Sequence, residues 1–392
     1  MMNLKRALPM LAACCVALIA SSSPAVTPAV LVGPDLKPVS VNLQSLRDGA
    51  ITYFGQDRNL KTARAAEFVQ VRFDHESPRD VKAPGVVVLT DGQRLPGRLV
   101  DADEQGQSIV WEHAQLGRAA ISIDRIAHLR FGADGPGPAA PDDAANDRVV
   151  LENGDELAGF VSAIHVRGLE LQPANAREPI VVPIDRLRSV TLSGNPPTRG
   201  ERLDMVHLTD GTRVAATSLA LAGDTVQLRG ALFVDDEVQP VAVRQVTRID
   251  LANPTYRLAA LTDFTFDHMS QPVFGLDLPP RVEGGVLRLH APVKIRFNLP
   301  ESAVRFAAIA ELDVYPATPA DAVRWADFDL IVERDGEAVE HHRINAERRR
   351  ATLNIAVARR VISLYLDPAT NGPVMDRLRL VDTMVLLHDP QE

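Results

Sequence analysis

Cysteine is almost absent from this chain of 392 residues: there are two, Cys14 and Cys15, next to one another near the start. No disulfide can brace the remainder, so its stability must come from packing. Aromatic residues make up 5% of the chain against 46% apolar residues in all, which suits ordinary globular cores. Basic residues are outnumbered, 42 Lys and Arg against 51 Asp and Glu, and the formal charge of −9 argues against a nucleic-acid partner. Arg348-Arg349-Arg350 is a local exception that reads as a solvated turn. Long apolar runs are missing too: the one from Ala7 to Ala20 is shorter than the roughly 20 residues of a spanning helix, so no transmembrane anchor is expected.

Catalytic motifs are equally scarce. There is no Gly-x-Ser-x-Gly elbow, no Gly-x-x-x-x-Gly-Lys phosphate loop and no His-Glu-x-x-His zinc helix. The acidic groups Asp101-Ala102-Asp103-Glu104 and Asp235-Asp236-Glu237 fall between expected strands, where carboxylates are solvated rather than paired in a cleft. His341 and His342 are adjacent, and adjacent strand residues face opposite ways, so they do not form a metal pair. No enzyme, cofactor or metal site is expected.

What the chain does have begins with an export signal. Lys5 and Arg6 precede the apolar run, and Ser21-Ser22-Ser23-Pro24-Ala25 supplies small residues for cleavage after Ala25. An exported protein, periplasmic, at the cell surface or extracellular, follows. Leu11-Ala12-Ala13-Cys14 resembles a lipobox that would lipid-anchor Cys14, but cleavage there would strand Val16 to Ala20 on the mature end.

A repeat occupies the next part. Val88-Leu89-Thr90-Asp91-Gly92, Val150-Leu151-Glu152-Asn153-Gly154 and His207-Leu208-Thr209-Asp210-Gly211 share one pattern. Leu95, Leu157 and Val214 follow at one offset from the glycines, and Gly97, Gly159 and Ala216 at another. Ile126, Leu129 and Phe131 close the first copy; Leu187, Val190 and Leu192 close the second; Val246, Ile249 and Leu251 close the third. From Gly92 to Ile126, Gly154 to Leu187 and Gly211 to Val246 the spacing is 34, 33 and 35 residues. Asp91, Asn153 and Asp210 read as turn formers rather than metal ligands. Apolar positions three and then two apart at the close suit a 3₁₀ turn running into a strand, as in small SH3-like β-barrels. Such small units bury little alone and must stack. Residues 34–74 read as a degenerate copy whose Asp48-Gly49 aligns either with the opening turns or with Gly223-Asp224. Full copies span 83–131, 148–192 and 203–252, with a Gly-, Pro- and Asp-rich linker at 132–147 and a shorter one at 194–200.

Beyond Pro254 the pattern changes to short alternating strands: Val286 to His290, Lys294 to Leu299, Arg305 to Asp313, Phe328 to Val332, Thr352 to Val357, Val361 to Leu366 and Leu378 to Leu387, with an Asp335-Gly336 hairpin turn. The expected fold is all-β: tandem barrels followed by a jelly-roll sandwich over 256–392. Tyr256 to Leu261, Gly284 to Pro300 with its His290-Ala291-Pro292, Arg305-Phe306, Glu311-Leu312-Asp313 and the Phe328 to Ile344 hairpin resemble the novel carbohydrate-binding module family. That resemblance covers about the last third of the chain and implies a galactose-binding-like sandwich, often attached to secreted glycosidases or envelope proteins.

Sugar recognition needs aromatic platforms beside polar groups. Tyr315 and Trp325 are the candidate platforms, and His290, Asp313, Arg324 and Asp376 the candidate polar partners. His290, at a strand end, equally suits packing, and Trp325 equally suits a cap on the sandwich. The expected partner is a glycan or other cell-envelope component, with envelope proteins as further partners. The alternative is an interaction protein without sugar binding, its barrels taking partners by strand addition.

Overall fold

In the computed structural model of the protein, the described residues are 26–73, 83–132, 146–193, 202–230, 232, 238–283, 285–315, 318–319, 321–369 and 372–389. The chain is all-β. The first unit holds β1 (Thr27–Val32), β2 (Pro38–Arg47), β3 (Ala50–Phe54), β4 (Leu60–Arg64) and β5 (Gln70–Phe73). The second holds β6 (Gly85–Leu89), β7 (Arg94–Ala102), β8 (Ser108–His113), β9 (Gly117–Ser122) and β10 (Ile126–Phe131). The third holds β11 (Asp147–Leu151), β12 (Glu156–His165), β13 (Gly168–Pro173), β14 (Ile180–Pro183) and β15 (Leu187–Thr191). In the fourth, β16 (Asp204–Leu208) is followed by β17 (Arg213–Ala216), β18 (Ser218–Ala222), β19 (Thr225–Arg229), β20 (Gln239–Ala242) and β21 (Val246–Asp250). Each unit's first strand pairs both with its second strand and with its last, so each meander closes on itself.

The repeated sequence makes a repeated clamp. Gly92, Gly154 and Gly211 take φ of +86°, +89° and +84°, the left-handed conformation that a Cβ disfavours. Asp91, Asn153 and Asp210 each accept, through Oδ1, the N–H of the residue two ahead, at 3.2, 3.1 and 3.0 Å. They are turn formers. Thr90, Glu152 and Thr209 then donate their N–H groups to the carbonyls of Arg125, Arg186 and Gln245 at 2.9, 2.9 and 2.8 Å. Those acceptors end the 3₁₀ turns Ile123–Arg125, Ile184–Arg186 and Val243–Gln245, so the opening turn of each unit is tied to its closing turn. Gly97 and Gly159 serve differently: an added Cβ would lie 2.3 Å from the Glu112 carbonyl oxygen and 2.2 Å from that of Gln172, so the neighbouring strands leave no room for one.

Three boundaries move. The first unit starts at Thr27, not Pro34, because Thr27–Val32 supplies its first strand; Asp48-Gly49 is the second turn and matches Gly223-Asp224. Asp147, placed in the linker, begins β11, and its buried carboxylate accepts the N–H groups of Val161 and Ser193. Asp101, placed between strands, belongs to β7. Residues 133–145, 194–200, Asp235-Asp236-Glu237 and the export segment through Ala25 lie outside the described residues.

The C-terminal region packs two antiparallel sheets face to face. One runs β24 (Arg281–Glu283), β25 (Val286–His290), β32 (Arg377–His388), β27 (Ala303–Leu312) and β30 (Arg350–Ala356), with β22 (Tyr256–Ala259) added on β32. The other runs β23 (Phe266–Ser270), β26 (Val293–Asn298), β31 (Val361–Pro368), β28 (Asp327–Arg334) and β29 (Glu337–Asn345). Leu287, Leu289, Ile295, Phe297, Phe306, Phe328, Leu330, Leu364 and Leu380 fill the space between them. The sandwich does not stand apart from the repeats: Val32, Leu36 and Val69 pack on Ala307, Met384 and Leu386, and Arg72 pairs with Asp382 at 2.8 Å.

Gly154→Val places its Cβ in open space, so it should cost only the backbone strain of roughly 1–2 kcal/mol. Gly97→Val should cost more, since Trp111 and the Glu112 backbone must move. Chemical denaturation of the two variants measures the order; equal losses would show that the β7–β8 approach is slack.

Candidate functional site

Antiparallel pairing gathers every candidate residue at one end of the sandwich. His290 lies opposite Arg377, Leu312 opposite Leu378, Ser270 opposite Val293 and Phe328 opposite Pro368. The connection 271–280 and the described residues 313–315, 321–326 and 372–376 therefore meet there with the Ala291-Pro292 link. This end also collects exposed apolar side chains: Phe274, Leu276, Val314, Tyr315, Trp325 and Val374 all project from these loops. Exposed apolar groups gathered in one place mark an interaction surface.

The six residues do not play equal parts. Tyr315 and Trp325 are 46% and 48% exposed. Arg324, also exposed, lays its guanidinium 5.2 Å from the centre of the Trp325 ring. His290 is half-buried; its Nδ1–H donates to the Ala291 carbonyl at 2.8 Å, and burial lowers its pKa, so the ring stays neutral. Asp313 and Asp376 are corrections to the expected set of contact groups, because both are buried at 3% and 0% exposure. Asp313 accepts from Arg288 Nη1 at 2.5 Å and ties its own N–H to the Arg377 carbonyl. Asp376 Oδ1 accepts the Asp327 N–H at 2.9 Å, its carbonyl accepts the Ala291 N–H, and its Oδ2 is buried without a hydrogen-bond partner. These two carboxylates hold the loops rather than face solvent.

Two arginines that sequence reasoning missed complete the arrangement. Arg288 and Arg377 alternate with the buried Leu287, Leu289 and Leu378, so both stand on the outer face of their sheet. The Tyr315 ring lies across them, its centre 5.8 Å from the Arg288 guanidinium and 4.9 Å from that of Arg377. Period-two alternation with His290 could have located Arg288. Nothing local in Pro272 to Pro280 points to Phe274, which adopts φ +51° in an exposed turn closed by a Val273–Leu276 bridge.

Away from this end, His341 Nε2 lies 3.0 Å from Asp329 and His342 Nε2 lies 2.9 Å from Glu340, each histidine with its own carboxylate. Among the described residues no group of three or more His, Cys, Asp or Glu is arranged to hold a metal. Among the described residues, too, no helix is long and apolar enough to cross a membrane.

No protein-family profile matches the chain, and no curated protein does. Similar solved structures include carbohydrate-binding modules. One contains CBM51-2 in complex with GlcNAc and INT domains of Clostridium perfringens ZmpB, at 16% identity and a TM-score of 0.28, covering 43% of this chain and 37% of that one. Another is CBM51 from Clostridium perfringens GH95 in complex with methyl-galactose, at 12% identity and a TM-score of 0.26, covering 33% of this chain and 99% of that one. A third is the tandem CBM51 modules of a family 98 glycoside hydrolase from Streptococcus pneumoniae, at 12% identity and a TM-score of 0.23, covering 88% and 93%. The chain thus spans less than half of the first of these.

Burial raises the Asp376 carboxyl to about 7, with the nearby Asp327 charge adding to the effect and the Asp327 N–H and Arg343 opposing it. A carboxyl whose pKa is raised on folding favours the folded state when protonated, so stability falls as pH climbs from the unfolded value near 4 to about 7. Asp376→Asn should be stabilised relative to the parent protein progressively over that window and by a constant amount above it. Denaturation midpoints of the two proteins at successive pH values test this; a pH-independent difference would show that the carboxyl ionises normally.

Proposed function

We propose that this is an exported, non-catalytic glycan-binding protein whose C-terminal sandwich carries the site, with the N-terminal units, in the reading of SH3-like barrels, as a scaffold. The observation that carries the proposal is the pairing of two exposed aromatic rings, Tyr315 and Trp325, with guanidinium groups at one loop-built end of the sandwich. A sugar presents an apolar C–H face and equatorial hydroxyls. Flat rings match the first and planar fixed donors match the second. His290 fits as a further neutral acceptor through Nε2, its single N–H, on Nδ1, being already used. Asp313 and Asp376 fit as positioning groups.

Export follows from the basic residues, short apolar run and small-residue exit at the start of the chain. Cleavage after Ala25 would leave Val26 first and β1, at Thr27, intact. N-terminal sequencing of the protein recovered outside the cytoplasm should read from close to Val26; an intact cytoplasmic chain would defeat this reading.

A second reading has its own observation. Among the described residues strand β14 pairs only with β13, and Ile180 and Val181 on it, with Phe160 nearby in the same sheet, are exposed at 39%, 68% and 66%. An open apolar edge suits strand addition by a protein partner. A glycan array probed with the full chain separates the two. Bound glycans should lose roughly 1–3 kcal/mol of affinity on Tyr315→Ala or Trp325→Ala with little change in melting temperature. If Trp325→Ala instead unfolds the sandwich, the residue belongs to the core, and an array blank for the parent chain leaves the interaction-protein reading in place.

A further inference from the structure

The arginines on the outer face of the β25–β32–β27 sheet are not alike. Arg288 is matched by Asp313 at 2.5 Å and Glu283 at 3.2 Å, and Arg379 and Arg350 are matched by Glu311 at 2.8 and 3.5 Å. Arg377 has no carboxylate within ion-pair distance among the described residues, and neither does the exposed Arg324. Arg305, on β27, also lacks a carboxylate but spends its guanidinium on Asn354 Oδ1 at 2.8 Å, whereas Arg377 and Arg324 lie against the exposed rings of Tyr315 and Trp325. In a chain of net charge −9, positive charge left uncompensated beside aromatic platforms is placed against the general field of the molecule. His290 stands beside Arg377 and brings no negative charge to compensate it.

Resting on the glycan reading above, we propose that the ligand class of this end is acidic sugar: a glycan carrying carboxylate or sulfate groups. Arg377 and Arg324 receive the anionic groups while Tyr315 and Trp325 take the ring faces. A guanidinium fork pairs with a carboxylate or sulfate through two parallel N–H···O bonds, which a neutral hydroxyl cannot reproduce. The Tyr315 ring holds the Arg377 guanidinium in place beforehand, so little side-chain freedom is lost on binding. Phe274 and Leu276, from the loop crossing the same end, supply an apolar rim to this charged centre.

The test uses the full chain against polygalacturonate, dextran sulfate and neutral galactan, with phosphatidylserine vesicles as a fourth probe. Binding to polygalacturonate, dextran sulfate or both is expected, weakening as salt rises, and the stronger of the two names the anion as carboxylate or sulfate. Arg377→Gln should weaken that binding about tenfold or more, and Arg324→Gln, at an exposed position where folding is not at stake, should also weaken it. Arg377→Lys should fall between, keeping the charge without the fork. Galactan bound as tightly as the polyanions and unaffected by Arg377→Gln would overturn the acidic-sugar proposal while leaving glycan binding standing. No binding to any of the three glycans, with or without vesicle binding, would overturn both.

Discussion

The closing strand of each small unit has two edges, and only one of them is satisfied within the unit. Everything else in the repeat region follows from how the second edge is covered. Strand β10 pairs with β15, and β5 pairs with β21, so the second unit is joined to the third and the first to the fourth. Leu129 meets Val190 and Val71 meets Ile249 across these seams, all four fully buried. An uncovered closing strand would present unpaired N–H and C=O groups beside apolar side chains, the arrangement that invites unspecific association. Nested pairing turns that liability into one contiguous core shared by all four units. The outer seam is also polar: Asp250 accepts from Gln70 Nε2 at 2.6 Å and from His207 Nε2 at 2.7 Å. Burial lowers His207 to about 4, keeping it a neutral donor. Burial alone would raise the Asp250 carboxyl, but His207, Arg248 and Gln70 hold it well below the usual range. A buried network of this kind favours one pairing of units over others, since a wrong partner would leave a charge unmatched.

The same first unit that closes on the fourth also carries the sandwich. Its Val32, Leu36 and Val69 cover Ala307, Met384 and Leu386 on the outer face of the β27–β32 sheet, and Asn253, just before β22, donates to the Ala66 and Phe68 carbonyls. The two ends of β32 thus have different duties. Its C-terminal part is the docking face, and its N-terminal end, at Arg377, is the candidate site. Docking at one end leaves the loops at the other free to meet a ligand.

Much of this was legible in the sequence. Turn glycines, closing 3₁₀ turns and the alternating strands of the sandwich leave local signatures, because each rests on backbone conformation or on period-two burial. The strand Thr27–Val32 was missed because its buried apolar residues are three, Ala29, Leu31 and Val32, of which one is a small alanine and two are adjacent, too little for a clear alternation. Strands β23 and β24 were missed for a related reason: their outer positions, Met269 and Val282 among them, are exposed apolar residues that blur the alternation. In the candidate site the residue types and the end of the sandwich could be read, but not which groups reach solvent. Asp313 and Asp376 look on paper like ligand contacts; only the fold shows one buried under Arg288 and the other under the start of β28.

That difference changes what the carboxylates contribute. A buried ion pair such as Asp313 with Arg288 adds little net stability, because desolvating both charges offsets most of their attraction. What it does supply is geometry. Arg288 cannot swing away without leaving a buried charge behind, so the side of the Tyr315 ring that rests on it is fixed. Arg377 presses on the same ring and is bound at its backbone to Asp313, so movement of either arginine strains the other's support. The exposed part of Tyr315 is therefore held by two cations of opposite circumstance: Arg288, neutralised from beneath by Asp313, and Arg377, which has no carboxylate within ion-pair distance among the described residues.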